Sequence, residues 1–296
     1  MFRITVTGGK GGTGKSFVAV NIALLLAKHY RTVLVDLDLE APNDHILLGI
    51  DKLKNEEPIK LFLPFINTSK CTKCGVCAKV CDTGAILLPS GAYPIIFPRL
   101  CSGCKACYYA CPYNAIIEGY HVLGYVYRTN IVIENTELTL VTGVLREGEE
   151  HVPPGVNYTR KKAEEIETDI LLMDTGAGTG NQISIALKNV DLTIIVTEPT
   201  PLGIHDMSNV LKITNEMGIR TWIVINKSSI GDTSKIYEIS EKYNVEKIYE
   251  IPYHRDVVSS YVERKPIVIK YKNSPITRVF NEIAQSIIGL VRSNGK

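Results

Sequence analysis

The chain has 296 residues, of which 45% are hydrophobic and 22% are charged, so it is long enough to bury a large core. A formal net charge of +2 argues against a nucleic-acid partner, and the lack of an apolar run of ~20 residues argues against a membrane span. We therefore expect a soluble, cytoplasmic protein that has neither nucleic acid nor membrane as a partner.

The first elements form a βαβ unit around a glycine-rich loop. Residues 2–7 predict a buried strand, residues 15–29 a buried helix, and residues 32–37 a second strand parallel to the first. Between the first strand and the helix the chain reads GKGGTGKS, which satisfies G-x-x-x-x-G-K-[ST]. Backbone N–H groups of such a loop surround phosphate oxygens, and the helix N-terminus adds positive charge. The predicted phosphate-binding residues are Gly9, Lys10, Gly11, Gly12, Thr13, Gly14, Lys15 and Ser16.

Within this loop, Lys15 is expected to reach the β- and γ-phosphates and Ser16 to bind Mg²⁺. Lys10 places a second lysine at the start of the motif, and K-G-G-T-G-K-S resembles the deviant Walker A motif of the MinD/ParA/nitrogenase-iron-protein class of P-loop ATPases. In that class this lysine reaches the partner subunit's nucleotide. The resemblance therefore implies an ATPase that binds ATP or ADP and forms an ATP-dependent homodimer. The alternative is that Lys10 is a solvated loop lysine.

The end of the second strand extends the resemblance. The stretch VDLDLEAPN resembles the class's switch I, where Asp38 positions the attacking water and Asp36 is a supporting acid. The resemblance thus implies catalytic roles for Lys10, Lys15 and Asp38. The alternative is that these carboxylates only cap the end of a strand.

The α/β pattern breaks at about residue 60, and a cysteine-rich block follows. All eight cysteines lie between Cys71 and Cys111, in two runs with the spacing C-x₂-C-x₂-C-x₃-C. Cytosolic thiols stay reduced, so metal ligation is favoured over disulfides. Every cysteine of the first run has a counterpart 30 residues later, which indicates an internal duplication.

This block resembles a bacterial two-cluster ferredoxin. The resemblance implies two [4Fe–4S] clusters, with the fourth cysteine of each run bound to the other run's cluster. Cluster one would be held by Cys71, Cys74, Cys77 and Cys111. Cluster two would be held by Cys101, Cys104, Cys107 and Cys81. Zinc is the alternative metal, although it favours pairs of cysteines separated by longer spacers.

After the block, residues 125–145 alternate as in a hairpin, and the α/β pattern resumes at about residue 160. The stretch DILLMDTGAGTGN resembles the Walker B strand and switch II, which places Asp174 in the Mg²⁺ shell through water. The implied Mg²⁺ shell is Ser16, Asp36, Asp38 and Asp174. The strand end INK and the stretch IPYHRDVVSSYVERKPI resemble the class's adenine-side segments, which implies base contacts by Asn226, Lys227, Pro252 and Tyr253. An asparagine at a strand end also serves simply as a turn former.

Continuously apolar strands separated by helices predict a mostly parallel sheet covered by helices on both faces. The expected fold is an α/β P-loop NTPase of the SIMIBI/MinD-like type with a small inserted α+β two-cluster ferredoxin domain. Residues 1–60 and 121–296 would form the ATPase domain, and residues 61–120 the insert.

Together, these resemblances imply an ATPase whose nucleotide-driven dimer is coupled to low-potential electron transfer through the two clusters, with a redox protein as partner. One alternative is an iron–sulfur cluster assembly or carrier ATPase of the Mrp type, which would act on an apo iron–sulfur protein. Another is a redox-sensing positioning or regulatory MinD-like ATPase.

Overall fold

The structure is a computed structural model that describes residues 1–178 and 180–294. The chain divides into two compact units. The first comprises Met1–Glu56, Val126–Val144 and Val156–Lys296, and the second comprises Glu57–Tyr125 and Leu145–Gly155. The second unit therefore contains a segment that lies outside the predicted insert of residues 61–120. The assignment of that insert as a ferredoxin domain stays a prediction.

The elements alternate between strands and helices along most of the chain. The first part contains β1 (Phe2–Thr7), α1 (Lys15–Ala27), β2 (Thr32–Leu37), α2 (Asp44–Leu47), β3 (Glu56–Ile66), α3 (Val76–Lys79), β4 (Ile86–Leu87), β5 (Ile95–Ile96) and α4 (Ala106–Ala110). The second part contains β6 (Ile116–Ile133), β7 (Thr136–Leu145), α5 (Val152–Glu164), β8 (Ile170–Thr175), α6 (Asn181–Leu187), β9 (Leu192–Thr197), α7 (Pro201–Glu216), β10 (Thr221–Asn226), α8 (Ser234–Lys242), β11 (Lys247–Ile251), α9 (Arg255–Val262), α10 (Ile267–Lys270) and α11 (Pro275–Asn294).

The first unit is built on a parallel sheet. The strand order is β11-β10-β9-β1-β8-β2-β7, and β6 and β3 follow in the same hydrogen-bonded order. The pairs from β11 to β7 are parallel. In the registers, Val6 of β1 and Asp36 of β2 both pair with Asp174 of β8. The carboxyl ends of these three strands therefore lie side by side, which is where open α/β sheets bind ligands.

Helices cover both faces of this sheet, as the apolar strands predict. In β9, Ile194 and Val196 belong to a core that includes α1 and α11, whereas Ile195 packs with residues of α7 and α8. Successive side chains of a strand point to opposite faces, so these two cores lie on opposite sides of the sheet. The predicted α/β fold with a mostly parallel sheet is confirmed.

Two elements differ from the sequence prediction. Strand β3 (Glu56–Ile66) occupies the region where the α/β pattern was expected to stop. Pro58 and Pro64 interrupt its apolar pattern, but β3 is the last strand in the order, and proline is tolerated in edge strands. Helix α5 begins at Val152, before the point at about residue 160 where the α/β pattern was expected to resume.

The second unit has a small core to which both halves of the duplicated sequence contribute equivalent residues. Phe62, Cys77, Ile86, Cys107 and Ile116 form this core. Cys77 and Cys107 are counterparts 30 residues apart, and so are Ile86 and Ile116. The regular elements around them are short, such as the two-residue antiparallel strands β4 and β5. The apolar packing of this unit thus depends in part on cysteine side chains.

Across residues 1–178 and 180–294, no helix combines the length and the apolar character needed to cross a bilayer.

Candidate functional site

The phosphate loop connects β1 to α1 and is held from the end of β10. Gly14 precedes α1 with a φ of 96°, in the left-handed region that favours glycine. A Cβ at Gly14 would lie 2.3 Å from Asn226 Nδ2. The Asn226 amide donates to the carbonyl oxygen of Thr13 at 2.7 Å. Asn226 therefore fixes the loop itself, a contact that the sequence resemblance did not predict.

Lys15 is buried and is folded back onto its own loop. Its Nζ donates to the carbonyl oxygen of Lys10 at 3.1 Å. Burial lowers the pKa of Lys15, while the carboxylates of Asp174 and Asp38 act in the opposite direction. The Lys15 ammonium thus interacts with the charges of Asp174 and Asp38, the two acids that the sequence assigned to the same site. The backbone N–H of Gly178 donates to Gly9 O at 3.0 Å, which joins the predicted switch II to this loop.

Ser16 and Asp174 meet at the base of the site. Ser16 Oγ donates to Asp174 Oδ2 at 2.5 Å. Asp174 is fully buried, and its Oδ1 has no hydrogen-bond partner among the described residues. Burial and the charge of Asp36 raise the pKa of Asp174 well above its usual value, and the bond from Ser16 opposes this. A hydroxyl beside an unsatisfied carboxylate oxygen fits Mg²⁺, which prefers hard oxygen ligands.

Asp36 holds the segment that carries Asp38. Its carboxylate accepts the backbone N–H groups of Asp38 at 3.1 Å, Asn43 at 2.9 Å and Asp44 at 3.1 Å. Burial raises the pKa of Asp36 to about 7, although these hydrogen bonds lower it. Because both oxygens are used, Asp36 fits a supporting role better than direct metal binding. Burial also raises the pKa of Asp38, which lies on the cleft wall, and Lys15 opposes this.

Asp44 is an acid of the site that the sequence interpretation missed. It is the first residue of α2 and is fully buried, and neither of its carboxylate oxygens has a hydrogen-bond partner among the described residues. Three carboxylate oxygens, one from each of Asp36, Asp44 and Asp174, lie within 4.8 Å of one another. Burial, and then the charge of Asp36, raise the pKa of Asp44 well above its usual value. The only sequence signal was a third aspartate in the stretch VDLDLEAPND, where it reads as a helix start.

A cleft of about 600 Å³ opens over these groups, within the usual range for small-molecule sites. Ten of the predicted residues line it: Gly11, Gly12, Gly14, Lys15, Ser16, Asp38, Asn226, Lys227, Pro252 and Tyr253. The predicted Asp36 and Asp174 are fully buried, and Gly9, Lys10 and Thr13 belong to the same loop. Lys227 already pairs with Glu198 at 2.6 Å, so its side chain is engaged by the protein.

The cleft also has an apolar wall that the sequence did not single out. Phe17 and Tyr261 stack with ring centroids 5.6 Å apart and an interplanar angle of 27°. Val257 and Val258 of α9 complete this wall. Burial, and then the charges of Asp174 and Asp44, raise the pKa of Tyr261 to about 12. An apolar aromatic wall in the same cleft as a phosphate loop suits a nucleotide base.

In the second unit, the cysteines form two groups of four around two small cavities. The first cavity is lined by Cys71, Cys74, Cys77 and Cys111. The second is lined by Cys81, Cys101, Cys104 and Cys107. Each group thus combines three cysteines of one run with the fourth of the other.

These cysteines are free, and they differ in burial. Cys77, Cys101 and Cys107 are buried, whereas Cys74 and Cys104 are exposed. Burial, and then the neighbouring thiols, raise the pKa of Cys107 to about 11. Four converging thiols fit either iron or zinc, which bind the deprotonated form. The choice of two [4Fe–4S] clusters stays a prediction.

Comparison with known proteins identifies relatives over the whole chain. Residues 4–267 match the family described as the CobQ/CobB/MinD/ParA nucleotide binding domain. An uncharacterized protein of Methanocaldococcus jannaschii is 33% identical, covering 97% of this chain and 98% of the relative. A protein of Aquifex aeolicus named iron-sulfur cluster carrier protein is 25% identical, covering 98% of this chain and 68% of its own length. The cell division ATPase MinD of Pyrococcus furiosus has the same fold, with a TM-score of 0.60 and 18% identity over 98% of this chain and 99% of that one.

Proposed function

Because the chain belongs to the CobQ/CobB/MinD/ParA family of nucleotide-binding domains, we propose that it hydrolyses MgATP and couples this reaction to electron transfer through two [4Fe–4S] clusters. The observation that carries the proposal is that one chain holds both a complete phosphate loop in a nucleotide-sized cleft and two groups of four cysteines.

In the proposed ATPase site, the loop N–H groups and Lys15 would bind the phosphates, and Ser16 and Asp174 would hold Mg²⁺. Asp38 would position the attacking water, and Asp36 would keep Asp38 in place through the backbone bonds described above. The base would lie against the wall of Phe17 and Tyr261, beside Pro252 and Tyr253.

We further propose a homodimer that forms on ATP binding. Lys10 supports this, because its carbonyl oxygen is used by Lys15, while its ammonium has no hydrogen bond or ion pair among the described residues and could reach a second nucleotide. Lys10→Ala should therefore abolish ATP-dependent dimerisation in light scattering while leaving monomeric nucleotide binding. Dimerisation by the variant as strong as that of the unmodified protein would contradict this role.

The burial of cysteines in the second unit supports clusters that stay permanently bound to the protein. Clusters of this type, when bound, supply one-electron transfer at low potential. Cys77 and Cys107 are part of the core of the second unit, so releasing a cluster would disturb its packing. The chain passes from Asp38 through α2 directly into this unit, which offers a covalent route for nucleotide-dependent changes.

A test of this assignment begins with protein purified without oxygen. Iron and sulfide content should correspond to two [4Fe–4S] clusters, and EPR of the reduced protein should show two interacting paramagnets. Cys74→Ser and Cys111→Ser should affect the same cluster, so the double variant should resemble each single variant. Cys74→Ser combined with Cys81→Ser should lose both signals. Zinc in place of iron would contradict the proposal.

The second candidate is an iron–sulfur cluster carrier, and the names of several relatives favour it. Exposed Cys74 and Cys104 would be the sulfurs accessible to an acceptor. Incubation with an apo iron–sulfur protein separates the two functions. A carrier would activate the acceptor faster than a chelator can intercept the iron, and an electron-transfer protein would keep its clusters.

A further inference from the structure

Two histidines and a glutamate come together in the second unit, at a place that neither the nucleotide site nor the cysteine groups use. His121 lies in β6, and Glu149 and His151 lie between the end of β7 and the start of α5. One potential ligand atom from each of the three lies within 4.8 Å of the other two. His121 and His151 lie 30 positions apart, so they have no ligand spacing along the chain by which the sequence could reveal them.

The loop after β7 is tied to β6 by backbone hydrogen bonds. Arg146 N donates to Leu123 O at 2.8 Å, two residues beyond His121. Glu149 N then donates to Arg146 O at 3.0 Å, and Gly148 makes the turn with a φ of 76°. The fold therefore holds Glu149 and His151 next to His121 independently of their side-chain contacts.

The Glu149 carboxylate is oriented by the backbone and faces both rings. Its Oε1 accepts the N–H groups of Glu150 and His151, both at 2.9 Å. His121 Nε2 lies 2.6 Å from Oε2, and His151 Nδ1 contacts Oε1. The exposed fractions are 9% for Glu149, 13% for His151 and 30% for His121. The group is thus preorganised, yet open to an ion and a water molecule from solvent.

We propose that His121, Glu149 and His151 bind one divalent transition-metal ion of the zinc class, through His121 Nε2, His151 Nδ1 and a carboxylate oxygen of Glu149. Two imidazoles and one carboxylate are a donor set that suits Zn²⁺ and similar ions, and water completes the coordination. Because one donor atom of each residue lies within 4.8 Å of the other two, a single ion with metal–ligand distances of about 2.0–2.2 Å could contact all three after small side-chain adjustments. Mg²⁺ and Ca²⁺ are disfavoured because they require oxygen ligands.

The competing explanation is a glutamate that simply accepts hydrogen bonds from two histidines. Substitution by glutamine separates the two explanations, because a glutamine amide donates a hydrogen bond but is a poor ligand for Zn²⁺. His121→Gln and His151→Gln therefore retain a donor toward Glu149 while removing one metal ligand each. His29→Gln is the matched control, since His29 is an exposed histidine of the first unit.

The experiment is a titration of the untagged, iron-containing protein with Co²⁺ and Zn²⁺ under anaerobic conditions. Cobalt bound to nitrogen and oxygen ligands shows d–d absorption without the thiolate-to-cobalt charge-transfer bands that cysteine ligation gives. The unmodified protein and His29→Gln should bind one equivalent with these bands, and Zn²⁺ should compete for it and raise Tm.

His121→Gln and His151→Gln should each lose roughly 100-fold or more in Co²⁺ affinity, since even residues that only support a metal ligand contribute 10–100-fold. Their Tm without metal should stay near that of the unmodified protein. Equal Co²⁺ affinity in all four proteins, or cobalt bands of the thiolate type alone, would overturn the proposal. The outcome does not depend on ATP hydrolysis or on the identity of the cysteine-bound metal.

Discussion

The two units reach order by different means. In the first unit, parallel strands such as β1, β8 and β9 are almost completely buried, and helices cover both faces. In the second unit, the core has few apolar residues, and cysteines belong to it. A small unit that cannot bury enough apolar surface usually needs a metal or disulfides for stability. The nucleotide site is thus positioned by an apolar core that folds around it. The cysteines, in contrast, are themselves part of the core of the second unit.

The largest effect should follow from removing the metal that we propose for the two cysteine groups. Without it, residues 67–118 should lose hydrogen-exchange protection, because the four cysteines of each group would no longer be linked through bound iron. Protection in β1 and β8 should persist. The protein's single tryptophan, Trp222 in β10, should keep its native fluorescence. Full hydrogen-exchange protection of residues 67–118 in metal-free protein would show that the second unit does not need metal for its stability.

The next largest effect should be the loss of ATPase activity in Lys15→Ala. Removing a preorganised cation from developing phosphate charge should lower kcat roughly 100-fold or more. The first unit should remain folded, because its core contains none of the Lys15 ammonium's contacts. Lys28→Ala, at the exposed end of α1, is the control and should retain activity. A Lys15→Ala variant with unchanged kcat would show that this loop is not the catalytic site.

A smaller effect concerns the conformation of the loop. Gly14→Ala should destabilise the first unit by about 1–3 kcal/mol, the range for residues held in strained backbone regions. Its new methyl group would also clash with the Asn226 amide. Gly11→Ala is the matched variant, because a Cβ there meets no described atom within 4 Å. Urea unfolding followed by Trp222 fluorescence measures both. Equal stabilities would mean that the loop adjusts freely.

The smallest effect is expected at the surface of the second unit. Lys105 and Glu118 form an ion pair at 2.5 Å, and both side chains are about one-third exposed. The pair raises the pKa of Lys105, chiefly through the hydrogen bond to Glu118, but solvent screens such pairs. Glu118→Gln should therefore leave the thermal stability of the unit almost unchanged, and added salt should remove any difference. A large loss of stability would show that this unit depends on charge pairs as well as on cysteines.

Much of the first unit could be predicted from its sequence. The strands β1 and β2 have the predicted bounds because both are short runs rich in apolar and β-branched residues, which end at Gly8 and Asp38. The phosphate loop is contiguous in sequence, so its motif identifies it. Asp44 and Tyr261 were missed because their roles depend on burial and on contacts with distant residues.

The second unit shows the same limit more strongly. The cysteine spacing indicated metal binding, yet β3 was missed because its prolines mask the strand pattern. The group of His121, Glu149 and His151 joins residues about 30 positions apart, which no local motif records. Residues that come together through sheet topology leave little trace in a single sequence.

We propose that the nucleotide state of the first unit changes the properties of the clusters proposed for the second. The most direct test is the reduction potential of each cluster, measured in anaerobic protein with MgADP and with MgATP, in the unmodified chain and in Lys15→Ala. The account predicts that MgATP shifts at least one potential in the unmodified protein and shifts neither in Lys15→Ala. Identical potentials with both nucleotides in the unmodified protein would contradict it.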